Sequence, residues 1–310
     1  MLPLATPVEV STMQSNPKVS IGMPVCNGEK FIHEALDALL AQTFTDFELN
    51  ISDNASTDMT ESICRAYAEK DSRIKYVRQT ENIGPVANFQ YVLDVATGEY
   101  FMWAAADDVW DANWIEVLLP IAANNQCLAC GVIQSIDATG KNNRHPANGR
   151  KLEFCGYPVI RRMKFYLEPG VLGKGNLIYG IMPTEMLKEI GVSWIASEPR
   201  GAATVYLYVI LARMEIRSSP KVRFYKRNHE ECLGEISQAA TKNNYIKRVL
   251  QGVKAMILQP IPGQYMRKSN AFEKPLILLL FVIAVIRVFY IAIVCKIDIG
   301  NRMAAMVNTK

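Results

Sequence analysis

The sequence predicts an α/β fold: a mostly parallel sheet flanked by helices, followed by an apolar helix near the C-terminus. Three observations lead there. Short runs of alternating apolar residues are separated by stretches with helical periodicity, and small or polar residues gather directly after each run. In addition, the 310 residues are 50% hydrophobic and 21% charged, enough for a sizeable core in one large domain or two ordinary ones. That composition excludes a disordered or collagen-like chain.

Residues 1–17 contain no basic stretch followed by an apolar run, so they are expected to be a flexible tail rather than a secretory signal. Val19, Ile21, Met23 and Val25 then share one face of a first strand. Ile32, Ala35, Leu36, Leu39 and Leu40 follow at i, i+3, i+4, i+7 and i+8, which is one stripe of a helix. Phe47, Leu49 and Ile51 form a second strand ending at Asp53, and Ile74 and Tyr76 mark a short third. Phe89, Val92, Leu93 and Ala96 restore the helical stripe, and Tyr100 to Ala105 reads as a fourth, buried strand. Parallel strands joined by right-handed helical crossovers place a ligand crevice outside their carboxyl ends.

Four strand ends supply that crevice: Pro24-Val25-Cys26-Asn27-Gly28, Ser52 to Asp58, Arg78 to Gly84, and Ala106-Asp107-Asp108. A carboxylate at the second end can accept hydrogen bonds from a base or sugar, and adjacent carboxylates at the fourth can hold a hard divalent cation with phosphate oxygens. Taken alone, Asp53 or Asp58 is equally at home as a turn residue or helix cap. The first strand is not followed by GxGxxG, and GxxxxGK[ST] occurs nowhere, which argues against a usual dinucleotide fold and against a P-loop.

The run VSIGMPVCNGEKFIHEAL, six further residues, and QTFTDFELNISDNASTDMT (19–60) resembles the opening of the family 2 type glycosyltransferases of GT-A fold, common in surface-polysaccharide synthesis. RQTENIGPVANF (78–89), ATGEYFMWAAADDVW (96–110) and NLIYGI (176–181) continue the resemblance in order, over roughly residues 18–230. It implies a Rossmann-like GT-A sheet that takes a sugar from a nucleotide-diphosphate donor to an acceptor hydroxyl, with Mg2+ or Mn2+ as cofactor. By resemblance Asp53 receives the imide N–H of a uracil-like base, bordered by Pro24, Val25 and Asn27. Asp107 holds ribose or donor sugar, Asp108 ligates the metal, and Asn82, Gly84 and Asn88 line the donor sugar and diphosphate. His229, within YKRNH (225–229), is expected to face the metal or diphosphate.

Two departures from the family pattern bear on activity. Ala106 stands where relatives often carry His or Asp. The family's usual catalytic base, an aspartate leading into an apolar helix, aligns with Ala203 in Arg200-Gly201-Ala202-Ala203-Thr204. Glu198 is the nearest substitute base. Of the remaining motifs, Cys127-Leu-Ala-Cys130 is expected in a buried strand rather than at a metal, Asp137 to Lys141 as a hairpin turn, and 141–175 as a loop over the acceptor side.

The expected organisation is a tail (1–17), a catalytic domain (18–234), a helical linker (235–273) and an apolar segment (274–310). Leu276 to Cys295 has 20 residues and one charge, Arg287, long enough to span a bilayer. Fifteen of them are Leu, Ile, Val or Phe, whose insertion gain outweighs the roughly 2.5–3.5 kcal/mol cost of one central Arg. A helix buried in the protein or in a dimer is the alternative. Charge is nearly balanced, with 34 Lys plus Arg against 30 Asp plus Glu, so no nucleic-acid partner is expected. Seven cysteines in a core-rich chain suit a reducing compartment. The expected protein is therefore an inverting UDP- or dTDP-sugar transferase at the inner face of the cytoplasmic membrane, acting on a saccharide or lipid-linked acceptor. A catalytically weak nucleotide-sugar-binding scaffold is the alternative, and a nucleotidyltransferase is disfavoured because no Gly-rich basic loop follows Met23.

Overall fold

The computed structural model of the chain describes residues 16–192, 202–229, 265, 267–280 and 283. Strands β1 (Val19–Val25), β2 (Phe47–Asp53), β3 (Ile74–Arg78), β4 (Tyr100–Trp103) and β7 (Met182–Pro183) form a five-stranded sheet in the order β3-β2-β1-β4-β7. The first four are parallel and β7 is antiparallel to β4. β1 is central, with β2 on one side and β4 on the other, so the strand order reverses beside its carboxyl end. A second, three-stranded sheet contains β5 (Val109–Trp110), β8 (Ile216–Arg227) and β6 (Leu128–Ile136) in the order β5-β8-β6.

The helices sit where the periodicity places them. α1 (Ile32–Leu40) buries Ile32, Ala35, Leu36 and Leu39 against β1 and β2 side chains. Each of the larger ones contributes about 2 kcal/mol by leaving water. α2 (Thr60–Ala68) precedes β3, and α3 (Pro85–Asp94) packs Val92 and Leu93 on the other face with Phe101 and Trp103. α4 (Trp114–Asn125) leads into β6. Cys127 and Cys130 are buried at the start of that strand, as expected for a structural pair.

Two expectations change. The stretch 141–175 is not simply a loop: it contains α5 (Pro158–Leu167) and a 3-10 turn at Gly170–Leu172. Arg161 and Arg162 occupy the core-facing stripe of α5, which hides the apolar period from the sequence. Arg161 donates to the Leu211 carbonyl (2.6 Å), and Arg162 pairs with buried Glu273 (2.5 Å). The Asp137 turn forms, with the carboxylate accepting from Thr139 and Lys141, but it leads to a single antiparallel bridge, Ile136 to Asn142. The long partner of β6 is β8, parallel to it and roughly 90 residues later.

α6 (Thr184–Ile190) follows β7, and α7 (Ala202–Arg213) buries Tyr206, Leu207, Ile210 and Leu211 in the second apolar cluster. Helical residues 273–280 dock on the same cluster through Ile277, while Tyr208 and Ser269 hydroxyls meet at 2.8 Å. Leu278, Leu279 and Ile283 are exposed. Among the described residues no helix is long and apolar enough to cross a membrane, and most of Leu276–Cys295 lies outside them.

Candidate functional site

Register brings the expected strand ends together. Val25 pairs with Asp53 and Asp53 with Arg78 across β1, β2 and β3, while Ala104, just past β4, donates to the Gly22 carbonyl. The loops after β1 and β2 are laced to each other. Asn27 N–H donates to Ser56 Oγ (2.9 Å), Thr57 N–H to Asn27 Oδ1 (2.8 Å), and Gly28 N–H to Thr60 Oγ1 (2.8 Å). Asp58 ties this lacing down by accepting from Glu29 N–H and from Thr60. Gly28 is required by space: a Cβ there would lie 2.7 Å from Val25 Cγ2 and 3.4 Å from the Ala106 Cβ. The walls at the first and fourth strand ends are thus kept close and small.

Asp53 is fully buried. Its Oδ1 accepts from Ser56 N–H (2.9 Å) and its Oδ2 from the Tyr76 hydroxyl (2.7 Å), with Arg78 Nε 4.0 Å away. Burial, reinforced by the hydrogen bond to Asp53, raises the Tyr76 pKa, so the phenol stays a neutral donor. Between these partners Ala55 takes a left-handed backbone (φ 57°), a conformation that costs an alanine about 1–2 kcal/mol and marks the turn as constrained.

Asn82 is part of the rim: its Oδ1 accepts from Asn54 Nδ2 (2.9 Å) and from Gly84 N–H (2.9 Å). Gly84 has φ 82° with open space around it and hands the chain to α3 through Pro85. Asn88 points elsewhere. It is buried in the body of the protein, and its amide is engaged by Ser52 at both ends (2.6 and 2.9 Å). Pro24 is partly exposed and Val25 is buried beneath the crevice.

The acidic pair is held by β8. Asp108 is fully buried; its Oδ2 receives Lys226 Nζ (2.9 Å) and its Oδ1 the Arg227 N–H (2.8 Å). Lys226 Nζ also lies 4.0 Å from Asp107 Oδ2, which His229 Nε2 meets at 3.0 Å. Arg227, fully buried, donates to the Asp107 carbonyl (2.8 Å) and to Glu34 (2.5 Å), with Phe31 against both its guanidinium and the His229 ring. Burial pushes the Asp108 carboxyl up to about 7, with Lys226 pulling it down and Asp107 adding to the rise. Burial opposes the Lys226 charge as well, but Tyr179, Asp108 and Asp107 outweigh it and its pKa is raised. The direction that follows from the contacts is a lysine that keeps its proton.

These residues, as arranged, do not fit a divalent cation. Each Asp108 oxygen already accepts a hydrogen bond, one of them from an ammonium, and His229 Nε2 meets Asp107. Among the described residues no three His, Cys, Asp or Glu side chains form a set that could hold a metal. A metal on Asp108 requires Lys226 to leave it.

The sequence reading did not find Lys226, Arg227 or Tyr76. A signal for the lysine was present: Val222, Phe224 and Lys226 alternate on one strand, so the lysine continues a buried face. Ala203 is half-buried against the second apolar cluster at the start of α7 and offers no proton acceptor. Glu198 lies outside the described residues.

A sequence model described as Glycosyl transferase family 2 matches residues 20–179, half of the chain and all four strand-end loops, the acidic pair included. The chain belongs to glycosyl transferase family 2. Among curated relatives it is 31% identical over 184 residues to an uncharacterized glycosyltransferase of Rickettsia felis, covering 57% of this chain and 28% of that protein. It is 37% identical over 98 residues to the putative glycosyltransferase EpsE of Bacillus subtilis, covering 31% and 35%. The chain spans less than half the length of these relatives. Its fold is that of S. aureus TarS 1–349 in complex with UDP (TM-score 0.55, 20% identity, 86% of this chain and 70% of that one). It is also that of the mannosyltransferase PcManGT from Pyrobaculum calidifontis in complex with GDP-Man and Mn2+ (TM-score 0.53, 15% identity, 96% and 80%). The GT-A fold expected from the sequence is the fold present.

Proposed function

We propose that this family member is an inverting glycosyltransferase that moves a sugar from a UDP- or dTDP-linked donor to a saccharide or lipid-linked acceptor in surface-polysaccharide synthesis. The observation that carries the proposal is the convergence of Asp53 and the Asp107–Asp108 pair at the carboxyl ends of parallel strands, inside the segment that matches the family. In this reading the turn after β2 receives the base, supported by Val25 and Pro24. Asn82 and Gly84 form the rim beside the donor, and Asp107 takes sugar or ribose hydroxyls. The Mg2+ or Mn2+ expected from the sequence at Asp108 and His229 has no step here.

A scaffold that binds nucleotide sugar without fast turnover is the second reading, and Ala203 is the observation that favours it. A general base is worth about 10² to 10⁴ in rate, so its loss leaves a slow enzyme. The exposed Leu278, Leu279 and Ile283, continuing into the apolar run, support attachment to the inner face of the membrane in either reading. Incubation with a panel of UDP-, dTDP- and GDP-sugars, with Mn2+ and with EDTA, tests the proposal through released nucleotide diphosphate. Release from a UDP- or dTDP-sugar that disappears in Glu198→Gln supports the transferase with Glu198 as base. Binding without release, with turnover gained by Ala203→Asp, supports the scaffold. Neither binding nor release overturns both.

A further inference from the structure

We infer that Lys226 is the resident cation of the acidic pair and the group that meets the donor diphosphate, so that nucleotide diphosphate binding in this chain does not require a divalent metal. The inference rests on reading the crevice as a nucleotide-sugar site.

The geometry is that of a cation site already filled. One ammonium lies 2.9 Å from Asp108 Oδ2 and 4.0 Å from Asp107 Oδ2, bridging the two carboxylates where a divalent ion would have to sit. The other Asp108 oxygen is closed by the Arg227 N–H at 2.8 Å. A second positive charge placed on the same oxygens meets like-charge repulsion from the ammonium, so lysine and metal are competing occupants.

The lysine is held there by its strand rather than by chance. Val222 and Phe224 bury the same face of β8 and set the direction of residue 226, while Arg227 anchors the next residue to Asp107 and Glu34. Asp108 is closed to solvent, whereas the Lys226 side chain is 23% exposed, so of these two side chains the lysine is the one a ligand in the crevice can reach. An ammonium carries three donors, which lets one lysine serve a carboxylate and phosphate oxygens together. The Tyr179 ring centroid lies 5.8 Å from Nζ.

The test uses UDP as the probe and the full chain. Wild-type protein is titrated calorimetrically in EDTA and in Mn2+, and Mn2+ alone is titrated by electron paramagnetic resonance. The expected result is UDP affinity that changes little between the two buffers. Lys226→Met should weaken UDP binding in EDTA by about tenfold or more, the scale of a lost charged hydrogen bond. The same variant should gain affinity for Mn2+ alone, and Lys226→Arg should retain UDP binding in EDTA. The gain in Mn2+ binding tests the lysine as the occupant of the carboxylate site, and the loss of UDP binding in EDTA, restored by Lys226→Arg, tests it as the group that meets the diphosphate. UDP binding by the wild type that needs Mn2+ and vanishes in EDTA overturns the inference, and needs no variant to fold. If UDP binds in neither buffer, the nucleotide-sugar reading fails. The Mn2+ titration then still decides here, because wild-type affinity equal to or above that of Lys226→Met overturns the role of the lysine.

Discussion

Asp53 at the end of β2 and Asp108 beyond the end of β4 are both closed to solvent, yet different parts of the chain answer them. Asp53 is satisfied by Ser56 and Tyr76, neutral donors three and 23 residues away. Asp108 is satisfied by the Lys226 ammonium and the Arg227 backbone N–H, 118 and 119 residues away. The half of the crevice around Asp53 is therefore complete once β1, β2 and β3 have paired. The half around Asp107 and Asp108 exists only after β8 docks against β5 and β6. A parallel sheet can build a hydrogen-bonding pocket from its own loops, but here the ammonium on Asp108 comes from a second sheet.

Breaking the imported half is expected to cost most. Lys226→Met leaves the Asp108 carboxylate buried with one backbone donor, and removing one partner of a buried pair costs about 3–5 kcal/mol. Urea denaturation should show a loss of that order at pH 8 and a smaller one at pH 6, where Asp108 takes up a proton instead. Breaking the local half is expected to cost less. Tyr76→Phe removes a neutral donor from Asp53, worth about 1–3 kcal/mol. It should leave the response of UDP binding to EDTA unchanged, which calorimetry measures.

A third carboxylate sharpens the contrast through pH. Glu48, buried at the other end of β2, is opposed by burial but held down to about 2 by hydrogen bonds from Lys75, Ser20 and Thr97. Its folded pKa lies below the unfolded one, so its contribution is complete above about pH 4.5 and is lost as pH falls through 2. Asp108 has the opposite sign. With a folded value of about 7 the native state holds the extra proton, so raising the pH from about 4 through 7 costs stability. Urea midpoints between pH 3 and 8 should show Glu48→Gln flattening the acid side of the wild-type profile and Asp108→Asn flattening the side from pH 4 to 7.

The same division explains what was legible in the sequence. β1, α1, β2, β3, α3 and β4 follow their apolar periods closely, because each packs against neighbours that follow within a few tens of residues. Asp53, Asp107 and Asp108 stand out in the sequence because they fall at or just beyond the end of such a strand. α5 was missed because Arg161 and Arg162 occupy positions that apolar residues usually fill, their charges being met by the Leu211 carbonyl and Glu273. β5 and β7, two residues each, are too short to show any period. Lys226 was passed over because a lysine beside an arginine reads as solvated surface until its strand partners are known. Asn88 was assigned to the crevice from its place in the motif, but its helix turns the amide inward to Ser52.

Hydrogen exchange on the full chain with and without UDP is the most direct test that both halves serve one ligand. The account predicts slower exchange in peptides covering both 53–57 and 224–229, with peptides across α5 unchanged. Protection confined to one of the two segments, or appearing across α5 alone, would contradict it.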